Sequence, residues 1–166
     1  MFCWGYTINH IKYQLWRIEF WVIKGGSCWK FLEKGEIMSQ YGSVAIKAIQ
    51  MYTDGFVKTP QDAWMKAAGE IIGEGTYGQE KGCPKNAFLG LCEEGIVKGI
   101  PGGRYTRSKK NKEYALNAIR ILKRSPGLVE NKSALWNRVM AGVEKSHNGQ
   151  MDVVTALWDE GLVVKK

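Results

Sequence analysis

The sequence is poor in the residues that hold metals and form disulfides. Its 166 residues include four cysteines and two histidines, and no two cysteines form a C-x-x-C pair. This spacing does not suit a zinc site, and it makes reduced thiols the expected state, which is typical of a cytoplasmic protein. We therefore expect a cytoplasmic protein that needs neither a metal nor a cofactor.

The sequence also lacks a long apolar run. No stretch reaches the roughly 18 consecutive apolar residues that a membrane-spanning helix needs. The most apolar early segment, residues 15–23, is interrupted by Arg17 and Glu19, so it does not suit the core of a signal peptide. Membrane partners and export are not expected. The remaining composition, 45% apolar and 24% charged residues, is that of a globular protein.

The first 37 residues differ in composition from the rest of the chain. They contain nine aromatic residues, whereas the other 129 residues contain ten. One interpretation is a short β-hairpin, in which the alternating residues 16–22 pair with a second strand across a Gly-Gly turn. The other is a translated leader with the natural start at Met38, because residues 34–37 can be encoded by a purine-rich ribosome-binding sequence. Both interpretations make residues 1–37 an aromatic-rich N-terminal extension of the predicted domain.

The rest of the chain aligns with itself. Residues 86–97 match residues 152–163 at an offset of 66, and residues 44–51 match residues 114–121 at an offset of 70. Internal repeats of this kind constrain the architecture more strongly than any single motif. The sequence therefore predicts an all-α fold of two pseudo-symmetric three-helix repeats packed into one compact domain. The predicted segments are a first repeat at 38–103, a basic linker at 104–112 and a second repeat at 113–166.

Local signals place the helices within each repeat. Thr59 and Pro60 suit the N-cap and first position of a helix, and Gly95 and Gly161 suit the left-handed residue that follows a helix end. Apolar residues at helical spacing predict one buried face in each repeat. These faces consist of Ala45, Ala48, Ile49 and Tyr52, and of Ala115, Ala118, Ile119 and Leu122. Trp64, Trp136 and Trp158 lie on apolar helical faces and are expected in the core.

Several short motifs resemble an uncharacterised family of small bacterial proteins. They are EKGCP at 80–84, AFLGLC at 87–92, YT at 105–106, KNK at 110–112, HN at 147–148 and QMDV at 150–153. The resemblance covers residues 39–166. Since the family has no known function, the resemblance implies no activity, cofactor or partner.

The basic linker is the main candidate for a binding site. It contains five cationic side chains and leads into a helix whose expected N-cap is Ser108. Free backbone amides and the positive end of the helix dipole would attract an anion there, and Tyr105 could stack on an exposed base. The candidate residues for nucleic-acid or anion binding are Arg104, Tyr105, Arg107, Ser108, Lys109, Lys110 and Lys112.

Two acidic doublets leave other interpretations open. Glu93-Glu94 and Asp159-Glu160 lie in the last turns of predicted helices, where negative charge is unfavourable by up to about 1 kcal/mol. The linker could neutralise them as an internal ion network, or it could be a solvated connection. Alternatively, the doublets and the linker could form opposite patches of a protein-interaction module, such as a regulator or a phage or host antagonist.

The function favoured by the sequence is a non-enzymatic binding module that contacts nucleic acid through the basic linker. A net charge of +8 is consistent with an anionic partner, either nucleic acid or an acidic protein. The alternative is a protein-interaction module without nucleic-acid binding. A third interpretation is an enzyme centred on Cys83, which is predicted at a helix N-terminus between Lys81 and Lys85, where thiolate formation is favoured. No Cys-His or Ser-His-Asp spacing supports it.

Overall fold

The computed structural model describes residues 38–164, so the predictions for residues 1–37 fall outside the described part of the chain. The helices are α1 (Gln40–Thr53), α2 (Pro60–Ile72), α3 (Tyr77–Glu80), α4 (Gly82–Glu93), α5 (Lys109–Arg124), a 3-10 helix (Pro126–Glu130), α6 (Lys132–Met140) and α7 (Gln150–Asp159). The only β-pairing within 38–164 is one isolated bridge. The predicted all-α class is confirmed for this region, whereas the two-repeat arrangement stays a prediction.

Capping side chains explain where four of the helices begin. Ser39, Thr59, Thr76 and Asn131 each accept a hydrogen bond from a backbone N–H in the first turn of α1, α2, α3 and α6. Pro60 occupies the first turn of α2, where a backbone N–H would have no intrahelical partner. The predicted start of this helix at Thr59 and Pro60 is confirmed.

Helices α4 and α7 end in the same way. Gly95 and Gly161 have φ values of +64° and +62°, in the left-handed region that a Cβ disfavours. The N–H of each glycine and of the next residue bonds to carbonyls in the last helical turn, which is the Schellman arrangement. The two following tails then pair in antiparallel orientation at Val97 and Val163. The left-handed glycine predicted after each helix is confirmed.

The small apolar faces predicted from the sequence form part of the core, together with residues of α2, α4, α6 and α7. All the residues of these faces on α1 and α5 are buried except Tyr52, which is half-buried. Trp64 and Trp136 are buried, and each contacts another aromatic ring at a centroid distance of 5.3 Å. Their predicted core position is confirmed, while Trp158 is half-buried and packs against the edge of the core.

Two glycines allow helices to approach one another closely. A Cβ on Gly42 of α1 would lie 2.7 Å from the Cβ of Ala156 in α7, and a Cβ on Gly90 of α4 would lie 2.6 Å from the Cβ of Lys112 in α5. Contacts this short are not tolerated between packed helices. The glycine at position 90 therefore lets α5 lie directly on α4, which brings the linker to the carboxyl end of α4.

Sequence reasoning missed α3 and the 3-10 helix. Helix α3 begins at Tyr77, four residues after Gly73 and directly after its N-cap, Thr76. The side chain of Gln79 fixes this segment, since it accepts from the N–H of Gly75 at 2.8 Å and donates to the carbonyl of Met65 at 3.1 Å. None of the helices in 38–164 is both long and apolar enough to cross a membrane.

Candidate functional site

One carboxylate holds the linker against the end of α4. Oε2 of Glu93 accepts hydrogen bonds from the N–H of Tyr105 at 2.8 Å and from the N–H of Thr106 at 3.1 Å. Oε1 of Glu93 lies 2.6 Å from Nζ of Lys112. The hydrogen bond with Lys112, followed by those from the two N–H groups, lowers the pKa of Glu93 to about 2. Glu93 is therefore ionised at neutral pH and fixes the linker backbone.

Lys112 joins the linker to the whole acidic doublet of α4. Its Nζ also lies 2.5 Å from Oε1 of Glu94, and its pKa is raised by hydrogen bonding to Glu93 and then to Glu94. The internal ion network considered from the sequence is therefore present at this lysine. Because Glu93 and Glu94 contact the linker, the interpretation of doublet and linker as opposite patches is wrong for this doublet.

The side chain of Tyr105 packs against the core and does not extend into solvent. Its hydroxyl donates to the carbonyl of Pro101 at 2.9 Å, and its own carbonyl accepts from Nε2 of Gln61 at 3.1 Å. The ring is half-buried against the core, and this burial raises the pKa of the hydroxyl. Such packing disfavours the predicted role of Tyr105 as a platform for an exposed base.

A chain of polar side chains ties the linker to α4 and α7. The hydroxyl of Thr106 donates to Oδ1 of Asn86 at 2.7 Å and accepts from the N–H of Ser108 at 3.0 Å. Asn111 then donates to the hydroxyl of Ser108 at 3.0 Å and accepts from Nε2 of Gln150 at 3.1 Å. Gln150 is fully buried, so its amide must be satisfied inside the protein. The linker is thus held from two sides.

Ser108 lies at the N-cap position of α5 but does not cap the helix. Its hydroxyl is bonded to the Asn111 side chain instead of a backbone N–H, so the predicted side-chain cap is wrong. The first N–H groups of a helix have no intrahelical acceptor. Among the described residues, nothing accepts a hydrogen bond from the N–H groups of Lys110 and Asn111. The start of α5 therefore keeps free donors.

Helix α7 begins without a side-chain cap, although Asn148 and Asp152 lie close to its start. The N-cap is Gly149, with φ of +88°, and no side chain caps the helix. The N–H of Asn148 donates to Oε1 of Gln150 at 2.6 Å. Asp152 instead pairs with Lys132 at 3.0 Å. The buried amide of Gln150 therefore has a partner at its oxygen, Asn148, and at its nitrogen, Asn111.

Four linker cations remain exposed, and we call them the cation cluster: Arg104, Arg107, Lys109 and Lys110. Within the described region, no member of this cluster forms an ion pair. Helix α5 begins at Lys109, so two members lie in the loop and two in the first helical turn. The linker is therefore divided between residues that fix it and cations that face solvent.

A groove extends from the cation cluster along α5, and we call it the α5 groove. It has a volume of about 570 Å³ and is lined by Glu93, Thr106, Arg107, Lys109, Lys112, Glu113, Leu116 and Arg120. Lys109, Glu113, Leu116 and Arg120 follow one another at intervals of three or four residues, the spacing of one helix face. Arg120 was not identified from the sequence as a site residue. Its spacing from Lys109, which places both on one face of α5, is the signal that could have identified it.

Comparison with protein families decides the identity of this region. A family model described as "Family of unknown function (DUF6979)" matches residues 38–164. The chain belongs to the DUF6979 family. This confirms the predicted resemblance to an uncharacterised family, and the matched range contains the whole cation cluster and the α5 groove. No curated protein and no solved structure matches the chain.

In this DUF6979 member, the surroundings of Cys83 do not match those expected for a reactive thiol. Cys83 is half-buried near the start of α4. Nζ of Lys81 lies over the ring of Tyr41, 5.5 Å from its centroid, and Nζ of Lys85 lies 3.8 Å from the sulfur of Met65. The two ammonium groups that were expected to favour a thiolate are thus engaged elsewhere.

The second acidic doublet is separate from the linker contacts described above. Asp159 and Glu160 are exposed at the end of α7. Within residues 38–164, no three His, Cys, Asp or Glu side chains are grouped so that they could hold a metal ion. The cation cluster and the α5 groove are therefore the candidate site of this DUF6979 protein.

Proposed function

We propose that this protein is a non-enzymatic binding module that contacts nucleic-acid phosphates through the cation cluster. The observation that carries the proposal is that Glu93 and Gln150 hold the linker while the cluster stays exposed and unpaired. A loop that is already ordered loses less conformational freedom on binding. Such a loop presents its cations at fixed positions, which a solvated flexible linker would not do.

The start of α5 gives independent support for a phosphate ligand. The N–H groups of Lys110 and Asn111 have no acceptor among the described residues, and they lie at the positive end of a 16-residue helix. Backbone amides and the dipole at such an end favour anions. The net charge of +8 adds a long-range attraction toward nucleic acid.

The test is fluorescence anisotropy of the full-length protein with labelled single-stranded DNA, duplex DNA and RNA across a salt series. If all four cluster cations contact phosphates, the log-log salt slope on duplex DNA should be about −3.6. The combined variant Arg107→Glu, Lys109→Glu and Lys110→Glu should bind at least about ten-fold more weakly, with the slope reduced by about 2.7.

A charge-matched control distinguishes the contribution of the cation cluster to binding from that of the net charge. Lys66→Glu, Lys98→Glu and Arg138→Glu reverse three exposed cations outside the linker, and this variant should keep most of the binding. Equal loss in both variants would show that only total charge matters and would contradict the proposal. Failure of the wild-type protein to bind any of the nucleic acids at low salt would overturn it.

A protein-interaction module is the second candidate function. Phe56 is 70% exposed, and exposed apolar surface marks protein contact sites where it is part of a contiguous patch or groove. Phe56 also lines a groove of about 310 Å³ with residues of α1 and α2. A single stoichiometric partner that is retained by the linker variant and lost after Phe56→Ser would favour this function over nucleic-acid binding.

We also propose that the two halves are diverged copies of one unit. The offsets of 70 and 66 pair Gly42 with Lys112 and Gly90 with Ala156. The two close helix contacts join Gly42 to Ala156 and Gly90 to Lys112. Reciprocal contacts of this kind, in which equivalent positions exchange partners, are what a two-fold relation produces. The pairing of the equivalent tails at Val97 and Val163 is also reciprocal.

A further inference from the structure

We infer that the α5 groove binds a single-stranded segment of nucleic acid, with phosphates at its two ends and a base between them. This inference rests on the proposed function and extends the site from the cation cluster to Arg120. Its basis is the order of side chains along one face of α5: a cation at Lys109, a carboxylate at Glu113, an apolar group at Leu116 and a cation at Arg120.

Cations stand at both ends of the groove. Lys109 and Arg120 are separated by eleven residues, which corresponds to about 16 Å along a helix. Arg107 adds a second cation at the Lys109 end. Arg120 is exposed, and its Nη1 donates to Oδ1 of Asn117 at 2.5 Å. This bond orients the guanidinium and leaves most of its five N–H donors for a phosphate.

The middle of the groove suits a base better than a phosphate. Leu116 offers a half-buried apolar surface, on which the face of a base can pack. Glu113 repels a phosphate, but its carboxylate can accept a hydrogen bond from the amino group of a base such as cytosine. A strand whose backbone followed α5 along its whole length would place a phosphate against Glu113, so the base rather than the backbone faces the protein there.

The concave shape favours a single strand over a duplex. A volume of about 570 Å³ lies in the range of about 300 to 1,000 Å³ that is usual for small-molecule sites. Bases in a duplex present only their edges, whereas bases in a single strand can be splayed out into a pocket. The groove is therefore suited to about two unstacked nucleotides.

The test compares Arg120→Gln with Arg124→Gln in the full-length protein. Arg124 is also exposed and lies one turn further along α5, but it does not line the groove. With an eight-nucleotide single-stranded oligonucleotide, Arg120→Gln should weaken binding about three- to five-fold. The salt slope should fall by about 0.7, the value for one phosphate contact on a single strand. Arg124→Gln should bind like the wild-type protein.

A second measurement tests the base. Leu116→Ala should weaken binding of the oligonucleotide but leave binding of an abasic sugar–phosphate strand of the same length unchanged. Circular dichroism checks that the variant is folded. Equal effects on the two strands would overturn the placement of a base on Leu116.

The outcomes separate this inference from the function on which it rests. Binding that is lost in the linker variant but unchanged in Arg120→Gln would overturn the inference and leave the proposed function intact. Tighter binding of an eight-base-pair duplex than of the single strand would also overturn the inference. Absence of binding by the wild-type protein to every oligonucleotide would overturn both.

Discussion

The ends of α4 and α7 show the same sequence pattern in different surroundings. Each helix ends with an acidic doublet, followed by a glycine of positive φ and an apolar tail. Glu93 bonds to the linker backbone and to Lys112, whereas Asp159 and Glu160 are exposed. The shared pattern therefore determines how each helix ends. The role of each carboxylate depends on the segment that packs beside it.

The largest expected difference concerns the first carboxylate of each doublet. Glu93→Gln keeps the size of the side chain but removes the charge that binds Lys112 and two backbone N–H groups. Since hydrogen bonds to charged groups contribute about 1.5 to 3 kcal/mol, we expect the free energy of unfolding to fall by about 2 kcal/mol. Asp159→Asn should cost less than about 1 kcal/mol, because interactions of exposed carboxylates are weak. Urea denaturation measures both, and equal losses would contradict the comparison.

The second expected difference is the response to acid of the stabilisation that Glu93 provides. The pKa of Glu93 is about 2 in the folded protein, below the usual 4.5, so the unfolded chain binds a proton more readily. The stabilisation is complete above about pH 4.5 and is lost as the pH falls toward about 2. The difference in unfolding free energy between wild type and Glu93→Gln should therefore narrow over this range. A difference that stays constant down to pH 2 would show that the ionised carboxylate is not its cause.

The helix ends could be predicted because their signals are local. Thr59 and Pro60 are adjacent to the helix they begin, and Gly95 follows the helix it ends. The fixed linker could not be predicted in the same way. Tyr105 is twelve residues from Glu93, and their contact depends on how closely α5 packs on α4 at Gly90. Such packing is a tertiary property that local periodicity does not contain.

The candidate site could be predicted only in part, because only some of its residues are close to one another in sequence. The cation cluster is nearly continuous in sequence, so composition alone identifies it. Arg120 joins the site only through the phase of α5. Gln150 supports the linker through Asn111, which is 39 residues away. A buried glutamine at the start of a helix has no sequence signal that distinguishes it from an exposed one.

The smallest expected difference is at the glycines that end the two helices, where the two regions should behave alike. Gly95→Ala and Gly161→Ala each place a Cβ on a residue with φ of +64° or +62°, which should cost about 1 kcal/mol of unfolding free energy. A Cβ at Gly161 would meet nothing within 4 Å, and one at Gly95 would lie 3.5 Å from the backbone of Gly102. This is an ordinary van der Waals distance, so space does not distinguish the two sites.

Urea denaturation of the two alanine variants tests this equivalence. The difference between their losses of unfolding free energy is a stricter test than either loss by itself. Losses that agree within about 0.5 kcal/mol, the scatter expected for independent sites, would show that the shared pattern sets the same helix end twice. A much larger loss at Gly95 would mean that the segment around Gly102 resists the added Cβ and that this helix end depends on the linker. Equal losses at the glycines, together with unequal losses at Glu93 and Asp159, would place the difference between the regions in the contacts of the two carboxylates and not in the helix ends.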